Sequence, residues 1–200
     1  SNVNVGKISQ GVDIKTVSGE ITASMLQNNI EITSVSGNVD STELSGKIQL
    51  STVSGDIEDV KSSGRLSIKS VSGSIKAKST AIEIVAESVS GDIELKLADI
   101  DELEISTVSG DSEVDFALNE NGSVKLSSVS GEFDLNFSKD IQANFRLQTN
   151  AGGSIKNKLT SDKAKRGKYV PSEKLSFTMG SGSGSVKAST VSGDIQLSKK

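Results

Sequence analysis

Asp92, Asp111 and Glu132 each follow a Val-Ser-Gly triplet, so the three acids occupy one slot of a repeat. If the repeats stack at the strand spacing of about 4.8 Å, neighbouring carboxylates repel unless water, a lysine or a cation intervenes. Calcium, which takes oxygen ligands, is the ion such a file could hold. Solvated acids at a turn are the plainer alternative, because the same slot reads Glu20, Asn38, Asp56 and Ser74 earlier and Asp194 near the end. A second group of chemistry-bearing residues is basic. Residues 156–174 carry seven basic against two acidic side chains, a net of +5 that leaves −9 for the rest of a chain whose net charge is −4. Within them, Lys163, Lys165, Arg166, Lys168 and Tyr169 could bind an anionic partner such as an acidic glycan, phospholipid head groups or an acidic protein face.

Other chemistries lack their parts. The chain has no His and no Cys, which removes the commonest general base, the thiolate nucleophile and disulfides. The serines of the triplets therefore have no imidazole beside them; each is expected to bond backbone at its turn or the next serine. Arginine is limited to Arg65, Arg146 and Arg166, and acids such as Glu83 and Glu104 are spread among Lys and Ser. A protein without enzymatic activity is the expectation, and a calcium-assisted polysaccharide-active enzyme is the catalytic rival. Net negative charge with five Phe, one Tyr and no Trp argues against a nucleic-acid partner. No apolar run approaches the roughly 18 residues of a membrane helix, so membrane attachment would need an anchor outside this chain. No signal-peptide pattern opens the sequence, which fits a mature domain whose targeting segment has been removed.

These residues must be positioned by a repeat. Gly19, Gly37, Gly55, Gly73 and Gly91 lie 18 residues apart and close the triplets; Gly46 and Gly64 fall midway, and Asn28 takes that half-way slot one period earlier. A fixed period of this kind marks a stack of coils, each burying its apolar side against its neighbours. Gly and Asn share tolerance of a left-handed turn, which explains the slot they exchange. Apolar residues two positions after the slot (Ile21, Val39, Ile48, Ile57) and pairs at period two (Ile30/Ile32, Ile48/Leu50, Leu66/Ile68) predict short half-buried strands. Two strands and two turns make one coil. The expected fold is all-β, a single-domain parallel β-helix or β-solenoid over residues 1–200, of about nine coils and roughly 45 Å.

The repeat also assigns places to particular residues. Val17, Val35, Val53, Val71, Val89, Val108 and Val129 are expected to form a buried ladder worth on the order of 1.5–3 kcal/mol per side chain. Val71→Asp should then be severely destabilising, and Gly73→Val should destabilise through φ strain. Spacing grows from 18 to 19 between Gly91 and Gly110 and to 21 between Gly110 and Gly131, so Asn119-Glu120-Asn121 belong at a turn. Residues 156–174 hold the one Pro and break the pattern, which reads as a loop thrown out from one coil.

The repeated Val-Ser-Gly-Asp-Ile at 53–57, with variants at 17–21, 89–93 and 191–195, resembles the bacterial adhesin family of Ser-Gly-Asp-Ile repeats over residues 11–197. Those are cell-envelope domains of unknown function, and the family's name is an inference from architecture; fold alone does not imply function. The resemblance implies a right-handed solenoid displayed outside the cytoplasm, with no catalytic residues to carry over. The expected role is a monomeric surface or envelope protein that binds a protein or glycan along an extended face or through the basic loop. The alternative is a self-assembling scaffold similar to the bactofilins. That alternative requires uncapped apolar terminal coils, and the end Leu197-Ser198-Lys199-Lys200 is charged.

Overall fold

Alternation at period two decides which residues each strand buries. In Ser63–Ser72, Leu66, Ile68 and Ser70 are buried while Arg65, Lys69 and Val71 are exposed. The computed structural model describes residues 2–200, and every regular element in them is a strand. In chain order these are β1 Val3–Ile8, β2 Val12–Ser18, β3 Ile21–Ser36, β4 Val39–Thr42, β5 Ser45–Ser54, β6 Ile57–Val60, β7 Ser63–Ser72, β8 Ile75–Ser79 and β9 Glu83–Ser90. There follow β10 Ile93–Ser109, β11 Ser112–Ser130, β12 Phe133–Phe137, β13 Ala143–Thr149, β14 Ile155–Asn157, β15 Lys165–Arg166, β16 Glu173–Met179, β17 Gly184–Ser192 and β18 Ile195–Lys199.

The strands wind into a two-faced β-solenoid. The first face stacks β1, β3, β4, β6, β8, β10, β11, β12, β18 and β14, all parallel. The second stacks β2, β3, β5, β7, β9, β10, β11, β17 and β13 in parallel, then β16 and β15 antiparallel. Nine gaps on the first face at about 4.8 Å give a rod of roughly 43 Å. Register is 18 residues through the first half: Ile30 lies on Ile48, Ile48 on Leu66, Leu66 on Ile84. The long strands β3, β10 and β11 bend through both faces. Between the faces runs one column of Ile, Leu and Val, closed at the far end by Phe116, Phe137, Phe145 and Phe177.

The corners follow the glycine spacing. Asn28 is left-handed at φ 75°, directly beneath Gly46 at φ 113°. Its amide also donates to the Ser9 carbonyl, which glycine could not do. The inserted residues 119–122 sit at a half-way corner, where Ile100 pairs with Leu118 but Glu102 pairs with Ser123. Asn121 is left-handed there as well.

The valine ladder forms, but on the outside. Val17 is 74% exposed, and Val35, Val53, Val71, Val89, Val108 and Val129 are 46–50% exposed. The reason is parity: Ile48, Leu50 and Thr52 point inward at even positions, so Val53 points out. The inward slot beside each valine belongs instead to Ser34, Thr52, Ser70, Ser88, Thr107 and Ser128, all buried. Val71→Asp therefore lacks the buried site on which its expected cost rested.

The C-terminal third departs from simple winding. The last coil, β17–β18, inserts between the coil of β11–β12 and that of β13–β14. Glycine packing follows this spatial order: a Cβ on Gly193 would lie 2.0 Å from the Gly131 carbonyl oxygen, and one on Gly153 would lie 1.8 Å from that of Gly193. Residues 156–174 make an excursion from the coil in which Lys165–Arg166 forms the one short strand between β14 and β16. They run from β14 through a turn to β15 and return into β16, whose antiparallel pairing with β13 covers that end of the second face. At the opposite end Val3, Val5, Ile8, Val12 and Ile14 are only half-buried.

Candidate functional site

The acidic file is a ladder of side-chain-to-backbone hydrogen bonds. The backbone N–H of Asp56 donates to Asn38 Oδ1 (3.0 Å), that of Ser74 to Asp56 Oδ1 (2.8 Å) and that of Asp111 to Asp92 Oδ1 (3.0 Å). Glu132 N–H donates to Asp111 Oδ1 (2.8 Å), and Ser154 N–H to Asp194 Oδ1 (2.8 Å). The Asn and Asp residues of the slot thus bind the amide of the coil stacked on them, a bond that Glu20, Ser74 and Glu132 in the same slot do not make. The Ser154 amide holds the Asp194 carboxyl below its ordinary range. Asp92 and Asp111 each spend one oxygen this way, so amide dipoles offset the crowding for which calcium was invoked. Among the described residues, no group of three or more acidic side chains converges as metal ligands.

The triplet serines place their backbone, more than their hydroxyls, in the bonding. Ser36 accepts from the Gly19 N–H (3.1 Å) and Ser54 from the Gly37 N–H (2.9 Å) through backbone carbonyls, and their side chains are exposed.

The five basic-cap residues come together at one end of the rod. Lys163, Lys165, Arg166, Lys168 and Tyr169 are all exposed, Tyr169 at 87%. Lys168 Nζ lies 5.4 Å from the centre of the Tyr169 ring. Arg166 differs from the lysines, because its Nε donates to Glu173 Oε1 (2.6 Å). Glu173 is buried and its other oxygen accepts from the Ile155 N–H (2.9 Å). That amide first, and Arg166 second, hold the Glu173 carboxyl below its usual range. Gly152 N–H to the Pro171 carbonyl (2.6 Å) ties the turn to the coil beneath. The cap is therefore a framed element carrying cations, with a small cleft of about 220 Å³ between Gly153, Arg166, Val170 and Glu173.

Two features escaped the sequence reading. Asp59 is 1% exposed inside the first face, where its Oδ1 accepts from Ser41 Oγ (2.6 Å) and Ser62 Oγ (2.5 Å) and its Oδ2 has no partner. Burial pushes its carboxyl above the ordinary range, more than the two serines pull it down. The alternation Ile57-Glu58-Asp59 was the available signal, since it sets Asp59 in phase with buried Ile57. The other feature is the outer valine column, which edges a shallow groove of about 390 Å³ running past Val53, Val71, Val89 and Val108. Parity was the signal there too.

No curated protein and no solved structure matches the chain. The toastrack family DUF4097 matches residues 9–123 and, overlapping them, 65–198. An overlapping double match is natural for a repeat that can be laid on itself in more than one register. With all but the two ends of the solenoid inside these matches, the chain belongs to the DUF4097 toastrack family, β-solenoid domains of unknown function.

Proposed function

We propose that this chain is a non-enzymatic envelope-displayed solenoid that binds an anionic polymer through its C-terminal cap. The carrying observation is the placement of Lys163, Lys165 and Lys168, exposed and without a carboxylate partner among the described residues, beside an exposed Tyr169. The Arg166–Glu173 pair fixes β15, which carries Lys165, with Lys163 and Lys168 flanking it. The remainder of the chain is net negative, which directs a polyanion to this end alone. Display at the envelope rests on the likeness of the Ser-Gly-Asp-Ile repeats to adhesin-type domains. A non-catalytic role is supported by a chain without His or Cys.

Binding of polyphosphate to the whole chain, with neutral dextran as control and at low and high salt, tests the reading. Wild type should bind polyphosphate in a salt-sensitive manner and ignore dextran. Lys163→Glu/Lys165→Glu/Lys168→Glu should lose at least about tenfold in affinity with an unchanged melting temperature. Equal affinity of wild type and triple variant would remove the cap from consideration.

A further inference from the structure

We propose that the outer surface of the second face joins two copies of this chain into an antiparallel dimer. Four outward columns run up that face; in β7 they are Arg65, Ser67, Lys69 and Val71. The valine column continues from Val17 through Val129 to Val191 and stays 44–74% exposed throughout. Soluble monomers seldom leave so continuous an apolar stripe uncovered. The groove along it spans β5, β7, β9 and β10, so its midpoint lies between β7 and β9.

Charge order selects the occupant. On one side of that midpoint the face presents Lys47, Arg65 and Lys69, and on the other Glu83, Glu87, Glu102 and Glu104. A two-fold axis placed there, parallel to the strands, sets rung against rung in reverse order. The register then brings Lys47 to Glu102 of the second copy, and it sets the intrachain pairs Arg65–Glu83 and Lys69–Glu87 against their counterparts with opposite charges facing. Farther out, Glu31 meets Lys125 and Asp13 meets Lys187. Valine meets valine along the whole edge, Val71 on Val89 and Val53 on Val108. In these three charged columns no like charges oppose one another. Parallel rods would instead set each rung against its own equivalent, Arg65 and Lys69 against the same basic rung, and repel.

A contact of this kind is isologous and closes on itself as a dimer. Eight rungs at about 4.8 Å and six residue steps at about 3.3 Å give a flat footprint of roughly 34 by 20 Å, about 680 Å², close to the ~800 Å² per partner of a standard interface. The sequence reading expected a monomer and placed the valine column inside; with that column outside, the face is free to pair with a second copy. The surface is separate from the cap and does not depend on its role.

Sedimentation velocity of the whole chain over a concentration series tests the dimer. Wild type should be dimeric and dissociate on dilution. Val71→Asp/Val89→Asp should sediment as a monomer while keeping the wild-type circular dichroism, because both positions are exposed. Lys47 and Glu102 lie three rungs apart in one chain, about 14 Å, so they couple only across the two-fold axis. Lys47→Glu or Glu102→Lys alone should weaken association roughly tenfold or more, and the two together should restore it. The chain has no native cysteine, so a mixture of Val53→Cys and Val108→Cys should oxidise to a linked pair while Val53→Cys alone should not. A wild type that stays monomeric at every concentration, a dimer that survives Val71→Asp/Val89→Asp, or Val53→Cys linking to itself would overturn the proposal.

Discussion

Asp59 sits in a column whose neighbours on either side are Ser41 and Ala77, so its carboxylate has replaced small residues in the core. Two serine hydroxyls donate to one oxygen and leave the other unpaired, which does not offset the loss of water. Its carboxyl is therefore raised in the folded state, with burial as the larger cause. A raised carboxyl stabilises the fold relative to the unfolded chain in acid, fully so below the unfolded value of about 4, and that contribution is lost as pH rises through the folded value. An asparagine side chain in its place would keep an acceptor for the two serines and would not titrate. The stability of Asp59→Asn relative to wild type should thus rise as the pH is raised above about 4. Urea denaturation of both proteins across that range measures it, and a constant difference would show that the buried carboxyl does not titrate in this window. Asp194, after Gly193, has the opposite character. Asp194 is held low by the amide it accepts from, and the same kind of bond at Asp56, Asp92 and Asp111 gives the repeated Gly-Asp a structural reason.

At the scale of the element, the triplet corner is a place where two backbones nearly touch. Gly73 has φ 138°, and a Cβ there would lie 2.1 Å from the Gly55 carbonyl oxygen of the coil below. The expected strain is present, and a clash with backbone is added to it. Gly152, at the edge of the stack, has φ 95° and nothing within 4 Å of such a Cβ. The pair separates the two effects. Gly152→Ala should cost about 1–3 kcal/mol for backbone strain alone, and Gly73→Ala distinctly more, because coils must part to admit the methyl. Equilibrium denaturation of the two variants measures the difference, and equal costs would mean the stack yields freely. Much of this element was legible in the sequence, since glycine spacing located the Val-Ser-Gly corners and Asn28 in its left-handed slot, though not the left-handed Met25, Glu43 and Lys61 at the other bends. What misled was placing the valine of each triplet inside. Ile48, Leu50 and Thr52 fix an even inward phase that Val53 does not share, and a hydroxyl in the inward slot disguised that phase. The cap was legible as a basic interruption, but its antiparallel pairing carries no periodic signal of its own.

For the whole molecule, a period states how coils repeat and not which coil lies on which. The intact triplet at 191–193 with Asp194 and Ile195, against the degenerate Asn150-Ala151-Gly152-Gly153, distinguished an interior coil from a terminal one. An interior coil packs on both sides and must keep the full pattern; a terminal coil packs on one side and can drift. In space β17 lies between β11 and β13, and β18 between β12 and β14, so the last residues of the chain hold its cap to its body. The coupling is local, as in any linear stack where each unit contacts only its neighbours. Ending the chain at residue 183 should therefore strip β13 and β14 of their strand pairing with the parallel stack, leaving contacts such as Phe137 with Phe145, while the coils of residues 21–109 stay in place. Hydrogen exchange resolved by segment reads this directly: amides of 143–157 and 173–179 should lose protection by orders of magnitude, and those of 30–36, 48–54 and 66–72 should keep theirs. A cap that stays protected in the shortened chain would mean that β13 can dock on β11 without the inserted coil. Uniform loss of protection would instead mean that the rod folds as one cooperative unit, with its C-terminal coil as the keystone.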